Sequence, residues 1–228
     1  MTLPLLISVP HAGLTVPPEV ADRCRLARDE IVADGDEGAA EIYSFRDAVA
    51  RFVTTDVARA VVDQNRGPDD VRKDGVVKTH TCWDVPIWRA PLEADVVRGL
   101  LDAYWRPYHA ELSRPGDDVL LGVDCHTMAA TAPPVAPDVG RERPRVCLGN
   151  GDGSLPDSWF DLLFRAFERE FDGGVTRNDP FGGGFITRHH ASERPWVQVE
   201  LSRAPFASNP EKGRRVLRAL EAFCEALG

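Results

Sequence analysis

Val119-Leu120-Leu121-Gly122-Val123-Asp124-Cys125-His126-Thr127-Met128 is the stretch on which the fold turns. Its apolar, partly β-branched start reads as a strand over 119–124, and that strand runs out into a histidine. The start of the chain repeats the pattern, with Leu5-Leu6-Ile7-Ser8-Val9-Pro10 leading into His11. Histidine is an uncommon strand terminus unless its imidazole has a partner, because it is only partly apolar and titrates near neutral pH. In an α/β sheet, ligands gather at the carboxyl ends of the strands. Two histidines at two such ends, with acids close behind, point to a metal site.

Strand-like runs bounded by turn residues recur at 5–9, 52–56, 60–63, 119–124, 145–149, 184–188 and 196–201. Helical periodicity falls between them, over 37–51, 91–113, 156–171 and 210–227. Pro107 should interrupt the second of these helices near its end. Strands alternating with helices of this size predict an α/β sandwich with a mixed, largely parallel sheet. No repeat or linker divides the chain, so one domain is expected over 1–228. Two stretches resist regular structure: 64–90, which mixes Gly, Pro, charge and tryptophan, and the proline-rich 129–144. Long irregular loops of this kind are usually functional.

Composition narrows the function classes. The 228 residues are 43% apolar, enough for a sizeable core, and carry 36 acidic against 27 basic side chains for a net charge of −9. That balance argues against nucleic acid as a partner, while a few arginines can still make a pocket for a small anion. Five scattered cysteines form no CxxC pair, and no run approaches the ~20 apolar residues of a membrane helix. With no leader-like segment before the first strand, a soluble cytoplasmic protein is expected.

Asp34-Gly35-Asp36-Glu37 precedes a helix, and three carboxylates in four positions exceed what capping needs. A catalytic zinc takes three protein ligands and keeps one position open. His11, His126 and one of Asp34, Asp36 and Glu37 would supply two imidazoles and a carboxylate, with Asp124 placed to orient His126. Glu200, in Val197-Gln198-Val199-Glu200-Leu201, lies on the polar face of an alternating strand, where a carboxylate could act as a general base. A solvent-facing strand glutamate is the competing reading. Arg66 follows a strand-like run and Arg188 follows the Gly182-Gly183-Gly184 turn; either could grip a substrate carboxylate or pair with a nearby acid. Cys125 and His126 point to opposite faces of a strand, which counts against a cysteine hydrolase.

SVPHAG at 8–13, DGDEGAAEIY at 34–43, VVDQNRGPDD at 61–70, YWRPYH at 104–109, VDCHTM at 123–128, LGNGDG at 148–153, GGGFITRH at 182–189 and VQVEL at 197–201 form an ordered series. In this order the segments resemble the N-formylglutamate amidohydrolase (N-formylglutamate deformylase) family. The resemblance implies a three-layer, zinc-exopeptidase-like (phosphorylase/hydrolase-like) α/β fold. It also implies zinc-dependent hydrolysis of the formamide of N-formyl-L-glutamate to formate and L-glutamate, a step of histidine catabolism. Carried onto this chain, it implies one zinc ion on His11, Asp36 and His126, Asp36 matching the second aspartate of the family's D-x-D. Glu200 becomes the general base, Arg66 a catalytic and substrate-binding group, and Arg188, Asn65, Asn150 and His189 further substrate contacts. The 71–90 segment, with His80, Trp83 and Trp88, departs from better-known members and bears on which substrate is admitted. Alternatives are a zinc hydrolase of another N-acyl amino acid or a short acidic peptide, and a non-catalytic metal- or ligand-binding domain of the same fold.

Overall fold

Three strand-like runs, those leading to His11, His126 and Glu200, pair side by side and end at the same edge of one sheet. In chain order the elements are β1 (Leu3–Val9), α1 (Arg28–Asp34), α2 (Ala39–Ile42), β2 (Val49–Thr54), α3 (Ala94–Leu100), a π-helical stretch (Leu101–Trp105), α4 (Arg106–Ser113), β3 (Leu121–Met128), β4 (Val146–Gly149), α5 (Asp157–Glu170), β5 (Val175–Arg177), α6 (Phe185–His189), β6 (Trp196–Ser202) and α7 (Asn209–Leu227). This computed structural model describes residues 2–116, 118–133 and 136–227, so Pro134 and Val135 of the proline-rich stretch lie outside the described residues.

The strand order is β2-β1-β3-β6-β4-β5, and only the β4–β6 pairing is antiparallel. Period-two alternation separates the two faces. On one face Leu5, Ile7, Val123, Cys125, Val197 and Val199 pack against Ile42 of α2, Leu163 and Phe167 of α5, and Val216 and Phe223 of α7. Cys125 is thus a small buried core residue. On the other face Leu6 and Trp196 pack against Tyr108 and Leu112 of α4 and Ile186 of α6. Helices on both faces make three layers. The second face changes character toward the carboxyl ends of the strands, where it presents Ser8, Asp124, His126, Gln198 and Glu200. Register sets Ser8 beside Asp124, Asp124 beside Gln198, and His126 beside Glu200.

Several expected elements come out differently. The helix predicted over 37–51 is the single turn of α2, after which Val49 already begins β2. Phe45 and Val49 reach the core from a turn and a strand, so their helical spacing is incidental. Residues 60–63 are not a strand: a turn ending at Val61 runs into irregular chain, and its apolarity serves a second cluster in which Val61 and Val62 meet Leu100, Leu101 and Trp105. The run 184–188 is helical: Ile186 N donates to Asn65 Oδ1 at 2.8 Å, a cap supplied from 121 positions away that no local pattern could reveal. α1 and the three-residue β5 were not expected. Pro107 does interrupt its helix. It has no N–H to donate back, and the stretch before it widens into the π geometry.

Candidate metal centre

His11 stands two residues beyond β1, His126 lies near the end of β3, and Asp36 follows the end of α1. All three are buried. Asp36 is pinned from two sides: its N–H donates to His11 O at 3.2 Å, and its Oδ2 accepts from Thr127 N at 3.0 Å. His11 Nδ1 lies 3.5 Å from Asp36 Oδ1, His126 Nδ1 lies 3.0 Å from Asp36 Oδ2, and the two Nδ1 atoms are 3.2 Å apart. Ligands of a tetrahedral zinc at 2.0–2.1 Å stand about 3.3 Å from one another. The donor set therefore fits such an ion in both chemistry and spacing.

The other two candidate acids are placed elsewhere. Asp34 accepts from Lys78 Nζ at 2.7 and 2.8 Å and from Cys82 N at 2.6 Å, and Glu37 is exposed.

The far nitrogens of both imidazoles are held by carboxylates. Asp63 Oδ1 lies 2.8 Å from His11 Nε2, and Asp124 Oδ2 lies 2.9 Å from His126 Nε2. Each carboxylate fixes a ring so that Nδ1 faces the shared centre. Ser8 Oγ donates to Asp124 Oδ1 at 3.0 Å, and Asn65 Nδ2 donates to Asp124 Oδ2 at 3.1 Å. Burial alone would raise Asp36 and Asp63, but the neighbouring imidazoles, and Arg59 beside Asp63, hold both well below the usual carboxylate range. Burial opposes protonation of His126, yet Asp124 and Asp36 keep its pKa well above the ordinary histidine value. A cation bound here would replace that proton.

Glu200 neighbours His126 on β6, which is buried on both faces, so this is not a solvent-facing strand glutamate. Burial lifts its carboxyl to about 7, with Asp36 adding to the rise and His126 opposing it. Gln198 Nε2 donates to Glu200 Oε1 at 2.9 Å. The Gln198 amide is itself held by Gly184 N on its Oε1, at 2.5 Å.

His11, Asp36, His126 and Glu200 line a cavity of about 630 Å³ whose wall also carries Arg59, Arg66, Lys73, His80, Trp83, Arg143, Phe181 and Arg203. Arg66 is partly engaged, donating to Asp74 O at 3.1 Å and Asn65 O at 3.2 Å, with Asp74 Oδ2 at 3.4 Å. Asn65 lines the cavity too, but its amide is committed to Asp124 and Ile186.

Arg188, Asn150 and His189 are not brought to the cavity wall. Arg188 pairs with Asp152 at 3.0 Å, Asn150 bonds to Asn178, and His189 stacks on Phe185.

Sequence reasoning passed over Asp63, Arg59, Arg203 and Gln198. Asp63 had a signal: Val61-Val62-Asp63 repeats the apolar-then-acid pattern of Val123-Asp124. The arginines had none. Arg59 reaches Asp63 Oδ2 at 3.0 Å, and Arg203 reaches Gly35 O at 2.7 Å and Thr127 Oγ1 at 3.1 Å, through contacts made only on folding.

Among the described residues no helix is long and apolar enough to cross a membrane. The family model described as N-formylglutamate amidohydrolase matches residues 3–207. An N-formylglutamate deformylase of Pseudomonas putida is 29% identical over 227 residues, covering 92% of this chain and 84% of that protein. Among solved structures, N-formylglutamate amidohydrolase from Ralstonia eutropha JMP134 superposes with a TM-score of 0.76 at 22% identity, over 99% of this chain and 93% of that one. A gene product of Agrobacterium tumefaciens superposes with a TM-score of 0.74 at 20% identity, over 99% and 89%. At these identities the two structures attest a shared fold.

Proposed function

The chain belongs to the N-formylglutamate amidohydrolase family, and from that premise we propose that it hydrolyses N-formyl-L-glutamate to formate and L-glutamate, using one zinc ion held by His11, Asp36 and His126. The observation that carries the reading is the donor triad, its three ligand atoms within 4.8 Å of one another on the wall of the cavity that also holds Glu200.

Zinc, when bound, supplies a Lewis acid for the formyl carbonyl and for the attacking water. Glu200 is the general base. A buried carboxylate beside the triad can take the proton of the attacking water and return it to the leaving nitrogen. Gln198 keeps that carboxylate from rotating away by its bond to Oε1. Arg59, fixed on Asp63, contributes positive charge beside the triad, where negative charge develops on the carbonyl oxygen. Arg66 binds a substrate carboxylate, exchanging its looser contact with Asp74 for a bidentate one.

The test pairs metal analysis of the purified protein with a panel of N-formyl-, N-acetyl- and N-succinyl-glutamate plus N-formyl-leucine, reading free amine and formate. The expected result is one zinc per chain and fastest release of formate from N-formyl-glutamate. Activity that survives complete metal removal would overturn the zinc reading. Preference for another acyl group or for leucine would move the substrate assignment and leave the chemistry in place.

A further inference from the structure

The segment Tyr104-Trp105-Arg106-Pro107-Tyr108-His109 has no part in the chemistry above, yet it braces the residues behind it. Trp105 Nε1 donates to Arg66 O at 3.0 Å, Tyr108 OH lies 2.8 Å from Ser8 Oγ, and His109 Nε2 lies 2.9 Å from Gln64 O. Gln64 sits between Asp63 and Asn65, the residues that contact the two metal-facing histidines. On its other side His109 Nδ1 meets His190 Nε2 at 2.9 Å, the two ring planes 9° apart. His190 Nδ1 in turn faces Glu193 at 3.1 Å and Ser113 Oγ at 3.4 Å.

Donor counting decides how this chain is protonated. Gln64 O can only accept, so His109 Nε2 must carry hydrogen, or a lone pair opposes a buried carbonyl. A neutral His109 then has a bare Nδ1 and needs His190 Nε2–H as donor. The reverse arrangement leaves its mismatch at Gln64 O, in the interior. The arrangement chosen leaves it at His190 Nδ1, where the partly exposed Glu193 can turn to water. Burial and the adjacent His190 lower His109 to about 3, which keeps it neutral.

We propose that His109 is a positioning residue for the metal centre: held as the Nε2–H tautomer by His190, it fixes the Gln64 carbonyl and so aligns Asp63 and Asn65 behind His11 and His126. The inference rests on the reading of His11, Asp36 and His126 as metal ligands. It assigns a role to the 104–109 segment, and it explains why two histidines should be hydrogen-bonded to each other inside the protein, away from the cavity wall.

Two measurements test it. Proton–nitrogen correlation spectra of the ¹⁵N-histidine-labelled, metal-free protein should show His109 protonated at Nε2 and bare at Nδ1; the opposite tautomer overturns the proposal without reference to activity. Zinc affinity, read by competition with a chelating dye, should fall about 10–100-fold in His109→Phe, which keeps a ring but loses the N–H. It should return to within about threefold of the unmodified protein in His109→Gln, whose amide can reach the same carbonyl. Equal affinity in the two variants, whether both normal or both weakened, overturns the proposal. Should His109→Phe fail to fold, His190→Leu against His190→Gln asks the same question one link further out, with the same expected contrast. An unmodified protein that binds no zinc would instead bring down the ligand assignment itself, a distinguishable result.

Discussion

Lys78 donates from the interior to both carboxylate oxygens of Asp34, at 2.7 and 2.8 Å, whereas Lys73, in the same loop, meets Asp84 with more than half of each side chain exposed. The first pair fastens the loop to the 34–36 turn that presents Asp36; the second sits on the cavity rim. The contrast extends to the rest of the site. Behind the histidines every carboxylate is committed: Asp63 to His11 and Arg59, Asp124 to His126, Ser8 and Asn65. At the rim Arg66 holds Asp74 and Lys73 holds Asp84, both loosely enough to be exchanged. Low dielectric and full pairing fix the groups around the triad, and solvent leaves the rim groups free to change partner. On the proposed function, chemistry and selectivity fall to these two different physical environments.

That division can be broken at graded points. Replacing the proposed base, Glu200→Gln, should lower kcat about 100- to 10,000-fold while zinc content stays at one per chain; a variant retaining most of its turnover would remove Glu200 from the mechanism. Lys78→Met leaves Asp34 charged and unpaired in the interior and should cost about 3–5 kcal/mol of stability by denaturant unfolding; near-wild-type stability would mean that the loop is not fastened there. Asp63→Asn and Asp124→Asn each disturb an imidazole from behind, and zinc affinity should drop about 10–100-fold in chelator competition. Lys73→Ala stands at the small end, with an unfolding midpoint inside replicate scatter and any effect confined to KM. If Lys73→Ala lowered zinc affinity as strongly as Asp63→Asn, the separation of wall from rim would be wrong.

The two histidines were legible because strand periodicity is local: apolar runs ending in His11 and His126 announce their positions without knowledge of the fold. Glu200 was legible for the same reason, although the strand pattern alone suggested an outer face and the structure buries both. Spacing alone left Asp34, Asp36 and Glu37 open and only the family resemblance pointed to Asp36; what separates them physically is a lysine 44 positions from Asp34 and an amide 91 positions from Asp36. Arg188 and Asn150, carried over by resemblance, lie off the cavity wall, because the partners Asp152 and Asn178 that hold them are set by the fold. The α6 error has the same root, since its cap comes from Asn65.

By itself the sequence determined the alternation of strands and helices, the two imidazoles at strand ends, and the carboxylate beside them, because these depend on spacing along one backbone. Tertiary structure decided why Asp36 and not its neighbours stands beside the histidines, which carboxylates stand behind them and which arginines reach the cavity. Those outcomes depend on distances between segments far apart in the chain. Only the pairing of the strands and the packing of the 63–66 segment against them bring such distances to a few ångströms.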